Sequence, residues 1–415
     1  MSGRVWIISP DADSLIERWD ALLAAPYGEK AVLFHPHLRK GKPGDKHVDK
    51  IVSTPLHGFP ERPLAVSAEA GSMNSAIRFG FRSFDRQWII PDARLINQPN
   101  PELWQQRSDR QIFATAFMEE APTSGPALTF TGLVPDVHHY KGSFGGRVFP
   151  LWRDAQGNES NIKPGLIALL GERLDVIVGS EDLIAYIAAI ASHPTYTARF
   201  QEDLSTPGLR IPITADKALF SQAMILGRRV LWLQTFGERM ADAQEGRPAQ
   251  PPRLQVEFRP NIPKEGAIPE EPDQMPDTIR YDAGKNRLLI GTGFIDNVTP
   301  EMWEYEVSGN QVLTQWFSYR KRNRERQRIG NRRAPSKLGE IQPHHWLPEY
   351  TTELLNVLNV LGLLIEMEPE QAKLLDTICS GPLISEQELK QAGALNAPST
   401  KPKKSKTNAE HPQLF

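Results

Sequence analysis

The sequence predicts an α+β fold, and three observations carry that expectation. Segments with helical periodicity and segments with strand-like alternation are both present. They do not alternate as a parallel βαβ sheet would require, and no internal repeat relates them. A length of 415 residues suggests two or three compact units, enough to bury a sizeable core.

In chain order, Asp11 to Ala25 reads as a first helix, because Leu15, Trp19, Leu22 and Leu23 share a face and Asp11 or Asp13 can cap it. His35 to Pro63 opens basic and is punctuated by Gly and Pro, so it reads as loop. Arg86 to Ile90 is a short strand that stops at Pro91, and Ala127 to Val134 is another. Glu181 to Ser192 is a buried helix and Ala215 to Phe236 a longer one. Between Ala243 and Thr278 lie Pro248, Pro251, Pro252, Pro260, Pro263, Pro269, Pro272 and Pro276. That density forbids a regular helix or a central strand, so 243–278 is expected to be a surface connection or linker. Ile279 to Tyr281, Arg287 to Gly291 and Trp303 to Val307 look like strands. Leu347 to Glu368 and Ile384 to Gln391 read as helices, and Thr400 onward as a disordered basic tail.

Composition excludes several classes. A single cysteine, Cys379, leaves no disulfide framework and no Cys-rich zinc site. Val5 to Ile8 are the only consecutive apolar residues before Ser9 and Pro10, too few for a signal peptide. Leu354 to Met367 is interrupted by Asn356 and Asn359 and is too short to span a bilayer. The expectation is a soluble cytoplasmic protein without membrane partners.

The overall net charge of −2 conceals a local asymmetry. Arg320 to Lys337 contains nine cations (Arg320, Lys321, Arg322, Arg324, Arg326, Arg328, Arg332, Arg333 and Lys337) and one anion, Glu325. The segment is therefore +8 and the rest of the chain −10. So dense a cluster repels itself unless an anionic surface covers it. Arginine predominates, and its planar fork suits phosphate and guanine edges. A solvated basic loop is the plainer alternative.

The search for catalysis is mostly negative. No GxxxxGK[ST] occurs; Gly41-Lys42-Pro43-Gly44-Asp45-Lys46 lacks the spacing, and Pro43 removes an amide that a phosphate cradle would use. An adenine methyltransferase would need an Asn/Asp-Pro-Pro-aromatic turn and a Gly-rich donor turn, but the only Asn-Pro pair, Asn100-Pro101, continues Glu-Leu-Trp. There is no HExxH, and the pairs His35/His37, His138/His139 and His344/His345 lack a third ligand at recognisable spacing. Glu388-Leu-Lys390 fits a nuclease-like ExK, a pattern common by chance. No catalytic residue, metal site or cofactor site is assigned to this chain.

Three segments carry more. Arg78-Phe-Gly-Phe-Arg82-Ser-Phe-Asp85-Arg86-Gln-Trp88 interleaves cations and aromatics, fit either to stack on nucleic acid or to form an internal lattice fixing two strands. Tyr140-Lys-Gly-Ser-Phe-Gly-Gly-Arg147 is either a phosphate-approaching loop or a plain hairpin turn. Trp316-Phe-Ser-Tyr319 sets aromatic anchors beside the basic run.

RFGFRSFDRQWIIPDARLINQPNPELW, TFTGLVPDVHHYKGSFGGRVFPLWRD, ASHPTYTARFQEDL followed by LRIPIT, and MWEYEVSGNQVLTQWFSYRKR together resemble the C-terminal specificity region of type ISP restriction–modification enzymes. The resemblance runs from about Arg4 to about Leu389. It implies a target-recognition domain of mixed sheets and packed helices that docks double-stranded DNA. The nuclease, ATP-dependent translocase and adenine-N6 methyltransferase motifs of that family are missing here, which leaves three readings open: a domain separated from its enzyme, a split-gene subunit whose partner polypeptide carries them, or the remnant of a broken gene. S-adenosylmethionine, ATP and Mg are expected only for those other domains. The implied organisation is a methyltransferase-proximal connector at 1–75, the specificity domain at 76–394 and a basic tail at 395–415. The matching motifs carry over Arg82, Asp85, Arg86 and Trp88; Lys141, Gly145, Gly146 and Arg147; and Trp316, Tyr319 and Arg320. Trp316 and Tyr319 are expected to pack beneath Arg320. The expected DNA contacts are Arg320, Lys321, Arg322, Arg324, Arg326, Arg328, Arg332, Arg333, Lys141, Arg147, Arg82 and Arg86. The competing readings are a free-standing methyltransferase or nuclease of unfamiliar motif, and a scaffold remnant that no longer binds DNA.

Overall fold

The computed structural model describes residues 4–36, 38–39, 42–43, 47–52, 54–97, 99–117, 120–143, 145–205, 208–322 and 336–395. Apolar side chains in these residues segregate into two cores.

The first core begins with the helix Asp13–Ala24, which buries Leu15, Trp19 and Leu22. Its start is fixed by Asp11, whose carboxylate accepts the Ser14 N–H at 2.8 Å. Strands Ile77–Arg82 and Asp85–Ile89 form an antiparallel hairpin, and Ile8–Ser9 pairs with the outer side of Asp85–Ile89. Phe84, in the tight turn between them, has φ +63°. Phe79, Phe81 and Ile89 from this sheet join Trp6, Trp19, Trp104 and Leu338 in the core. Two buried arginines take the place of regular backbone pairing here. Arg18 donates to the carbonyls of Trp6, Ile8 and Ile341, each at 2.9 Å. Arg94 forks onto Asp92 and also reaches Leu64 O and Glu69. The boundary expected near residue 75 falls inside this core, since Ile8–Ser9 and Ile77–Arg82 flank the same central strand.

The second core is largely helical. Ser180–Ala191 buries nine consecutive residues from Leu183 to Ala191, so it reads as an apolar run rather than a stripe. Lys217–Gln234 crosses it at near backbone contact: a Cβ on Gly227 would lie 1.7 Å from the Ala185 carbonyl oxygen. Gln234 ties this helix to the sheet, accepting from Phe130 N at 2.8 Å and donating to Ser192 Oγ at 2.7 Å. That sheet is antiparallel, with Phe113–Ala116 between Leu128–Thr131 and Arg147–Pro150. A meander of Ile279–Asp282, Arg287–Ile290 and Gly293–Ile295 packs beyond it.

The proline-rich stretch forms only short 3-10 turns at Lys264–Gly266 and Pro272–Gln274, as expected. It is nevertheless anchored. Leu254, Ile268 and Met275 are buried, and the Leu254 N–H reaches Asn359 Oδ1 at 2.9 Å. The two cores join where edge strand Ile77–Arg82 meets residues 134–136. Gly80 N–H donates to Val134 O at 3.0 Å, and Gly80 O accepts from Asp136 N–H at 2.8 Å.

Two expectations need correction. Trp303 does not start a strand; it lies in the helix Pro300–Glu304, whose Thr299 cap and first-position Pro favour a helical start. Strand geometry appears only at Glu306–Val307. The helix expected to end at Glu368 runs from Pro348 to Ser380, through Pro369. An interior proline costs about 3 kcal/mol, but burial of Leu374, Leu375 and Ile378 beyond it offsets this at about 1.5–3 kcal/mol per side chain. The basic tail lies outside the described residues from 396 onward.

Candidate nucleic-acid interface

The alternating cations and aromatics of 78–88 form an internal lattice. Arg78 lies 4.4 Å over the Trp88 ring and 3.6 Å from Glu353. Arg82 stacks on Phe81 and pairs with Asp136 at 3.2 Å. Arg86 lies 4.0 Å over Phe236 and pairs with Glu238 at 2.9 Å and Glu353 at 3.1 Å. Asp85, fully buried, accepts from Arg320 Nη2 at 2.7 Å and Gln87 Nε2 at 2.8 Å.

Arg320 is therefore an interior residue, which corrects its expected place as a surface contact. It is 1% exposed, lies 3.7 Å over Trp316 and donates to the Trp316 carbonyl. A charge that deep requires its partner. Trp316 is buried beside it, packing on Trp346, and Tyr319 packs edge-on against Phe81 at 4.9 Å.

The glycine-rich loop also turns inward. A Cβ on Gly142, whose φ is +103°, would sit 2.8 Å from Gln315 Nε2, and one on Gly146 would sit 3.1 Å from Ala116 O. These glycines answer to close packing within the chain. Lys141 is half-buried with Nζ 5.9 Å from the Phe117 ring. Arg147 is exposed and lines a cavity of about 320 Å³ with Phe79, Trp104 and Asp136. His138 Nδ1 accepts from Gly145 N–H at 3.0 Å. Buried His139 sits in a hydroxyl chain with Thr115, Thr129 and Ser83, and burial lowers its pKa to about 3.

Both ends of the basic run are anchored. Lys321 is half-buried, and Arg322 is exposed with its N–H on Pro276 O and its guanidinium on Asp273 O, both at 2.8 Å. At the other end, Ser336 Oγ donates to Leu33 O while Leu338 enters the first core. Arg324, Arg326, Arg328, Arg332 and Arg333 lie outside the described residues.

A larger cleft of about 840 Å³ opens between the cores, lined by Arg78, Arg86, Arg107 and Arg239 against Asp109 and Glu238. Arg239 is held by carbonyls of Gln111, Ser108 and Gly132 at 2.9–3.0 Å. A Cβ on Gly132 would lie 2.9 Å from the Arg239 guanidinium carbon, so a side chain there would displace that group. Burial lowers the pKa of both Arg78 and Arg239, outweighing the opposing pull of Glu353 and Glu238 respectively. Sequence reasoning missed Arg107 and Arg239, because nothing local marks residues that only the fold brings together. Among the described residues, no three His, Cys, Asp or Glu side chains gather as metal ligands would. No described helix is long and apolar enough to cross a membrane.

Two cores joined through an arginine lattice, with an arginine-lined cleft at the seam, define a mixed α+β chain with antiparallel sheets. It belongs to the Type ISP C-terminal specificity domain family, whose match covers residues 1–357. Three solved structures share the fold. The cryoEM structure of a DrdV–DNA complex aligns with TM-score 0.55 at 14% identity over 89% of this chain and 34% of that one. A nuclease-deletion mutant of the Type ISP restriction–modification enzyme LlaGI, in complex with a DNA substrate mimic, gives TM-score 0.50 at 12% identity over 90% and 26%. The ATP-dependent Type ISP enzyme LlaBIII bound to DNA gives 0.51 at 12% over 90% and 22%. The chain thus spans about a third or less of each of these proteins. No curated protein matches it.

Proposed function

We propose that the chain is the DNA target-recognition module of a type ISP restriction–modification system. In this reading it selects the duplex site at which a methyltransferase/translocase-nuclease polypeptide acts. Family membership over residues 1–357 is the observation that carries the reading. The larger solved relatives, each in complex with DNA or a DNA mimic, support it. So does the basic run, whose flanks are both anchored and whose charge of +8 favours a polyanion. Lys321, Arg322, Arg324, Arg326, Arg328, Arg332 and Arg333 are the proposed phosphate contacts, with Lys141 and Arg147 beside the second sheet. The methyl donor, ATP and metal would enter through the partner.

The test pairs gel shift on duplex at two salt concentrations with calorimetry for S-adenosylmethionine. Duplex binding that weakens with salt, no donor binding by the chain alone, and site-dependent adenine methylation on adding a cognate methyltransferase fragment are expected. Donor binding by the isolated chain would instead make it a methyltransferase of unfamiliar motif. Absence of duplex binding at low salt would leave a scaffold.

A further inference from the structure

The four cleft arginines differ in what they have left to give. Arg239 spends its guanidinium on backbone carbonyls, and Arg86 is engaged by two carboxylates. Arg78 makes one 3.3 Å bond to Arg86 O and a 3.6 Å ion pair, too few for five N–H donors, and its side chain remains 30% exposed. Arg107 is exposed; among the described residues its side chain has only the Phe59 ring, 4.9 Å away.

Stacking leaves the in-plane edge of a guanidinium open, and that edge is a two-pronged donor matched to phosphate oxygens. Ring contacts also hold the side chain in place before a ligand arrives, which lowers the ordering cost of binding. Arg239, held by neutral carbonyls, contributes a fixed positive charge to the same wall, whereas the charge of Arg86 is offset by Glu238 and Glu353. At about 840 Å³ the cleft is far larger than one inorganic anion fills.

We propose that this cleft is a phosphodiester groove in which Arg107 and Arg78 contact the DNA backbone, in addition to the contacts proposed for the basic run. The inference rests on the DNA-recognition reading above. It also predicts a sign: Glu238, 38% exposed on the cleft wall, opposes an incoming phosphate.

The experiment measures fluorescence anisotropy of a labelled random-sequence duplex across a salt series with wild type, the double variant Arg78→Gln/Arg107→Gln, and Glu238→Gln. The double variant should lower the log–log salt slope by about two units. Glu238→Gln should tighten binding by about three-fold, an increase that misfolding would not produce. Arg280→Gln, an exposed cation outside the cleft, should leave the slope unchanged. Wild-type binding with the same slope in the double variant overturns the groove while leaving the recognition reading intact. No duplex binding by wild type overturns the recognition reading itself, and the groove with it. Displacement of duplex by inorganic phosphate well beyond chloride at equal ionic strength, lost in the double variant, would assign the cleft to a free anion and overturn the groove.

Discussion

The two cores are held together by different means. The first is assembled from short, scattered pieces around one three-stranded sheet, and side chains satisfy carbonyls that its irregular segments leave unpaired. Arg18 alone connects three carbonyls from Trp6 to Ile341. The second is stitched by long helices whose backbones nearly touch at Gly227 and Ala185. Irregular chain must satisfy its carbonyls one at a time, whereas a helix satisfies its own and leaves its surface for apolar packing. At the junction a single buried pair, Arg320 with Asp85, joins the hairpin of the first core to the helix Val312–Ser318 region of the second.

That contrast can be broken at its seam first. Arg320→Met should cost about 3–5 kcal/mol in urea unfolding, because it leaves Asp85 as a buried charge with only Gln87 beside it. A loss below about 1 kcal/mol would show that the pair is not what holds the seam. In the second core, Gly227→Ala should cost about 3 kcal/mol, since the helices must separate to admit the methyl group. In the first, Arg18→Met keeps the apolar stem and strands three carbonyls, for about 2–3 kcal/mol. If Arg18→Met matched a surface substitution, the distinction between polar and apolar stitching would fail.

The smallest effect is pH-dependent. Burial raises the Glu368 carboxyl to about pKa 7, above its unfolded value of 4.5. The folded state therefore holds this proton more tightly, and its ionisation destabilises the fold as pH rises from about 4.5 through about 7. Part of the side chain reaches solvent, so about 1 kcal/mol is expected. Glu368→Gln should be the more stable protein at pH 8, with the gap closing towards pH 5 in paired thermal melts.

Much of the architecture was legible in the sequence. The apolar run from Leu183 to Ala191 and the cap at Asp11 mark helices through purely local chemistry. Eight prolines foretold the irregular 243–278 stretch. Other helices had a signal that was passed over: those at Pro101–Gln105, Pro164–Leu174 and Pro194–Arg199 all begin with a first-turn proline. The division into cores was not legible, because Leu338 packs with Trp6 across most of the chain. Nor was the inward turn of Arg320. A run of cations looks uniform in sequence, and only the buried carboxylate of Asp85, 235 positions away, distinguishes its first member. Arg78, Arg107 and Arg239 share a wall for the same non-local reason.

The helix Pro348–Ser380 has a mechanical consequence. At about 1.5 Å per residue, its 33 residues make a rod about 50 Å long. Near one end, Tyr350 donates to Asp11 and Glu353 grips Arg86; further along, Gln371 donates to the Ala189 carbonyl. A shear between the two cores would have to bend this strut or tear out one of its footings. Force applied at one core therefore reaches the other through this helix, with Pro369, between the footings, as the point where it bends first.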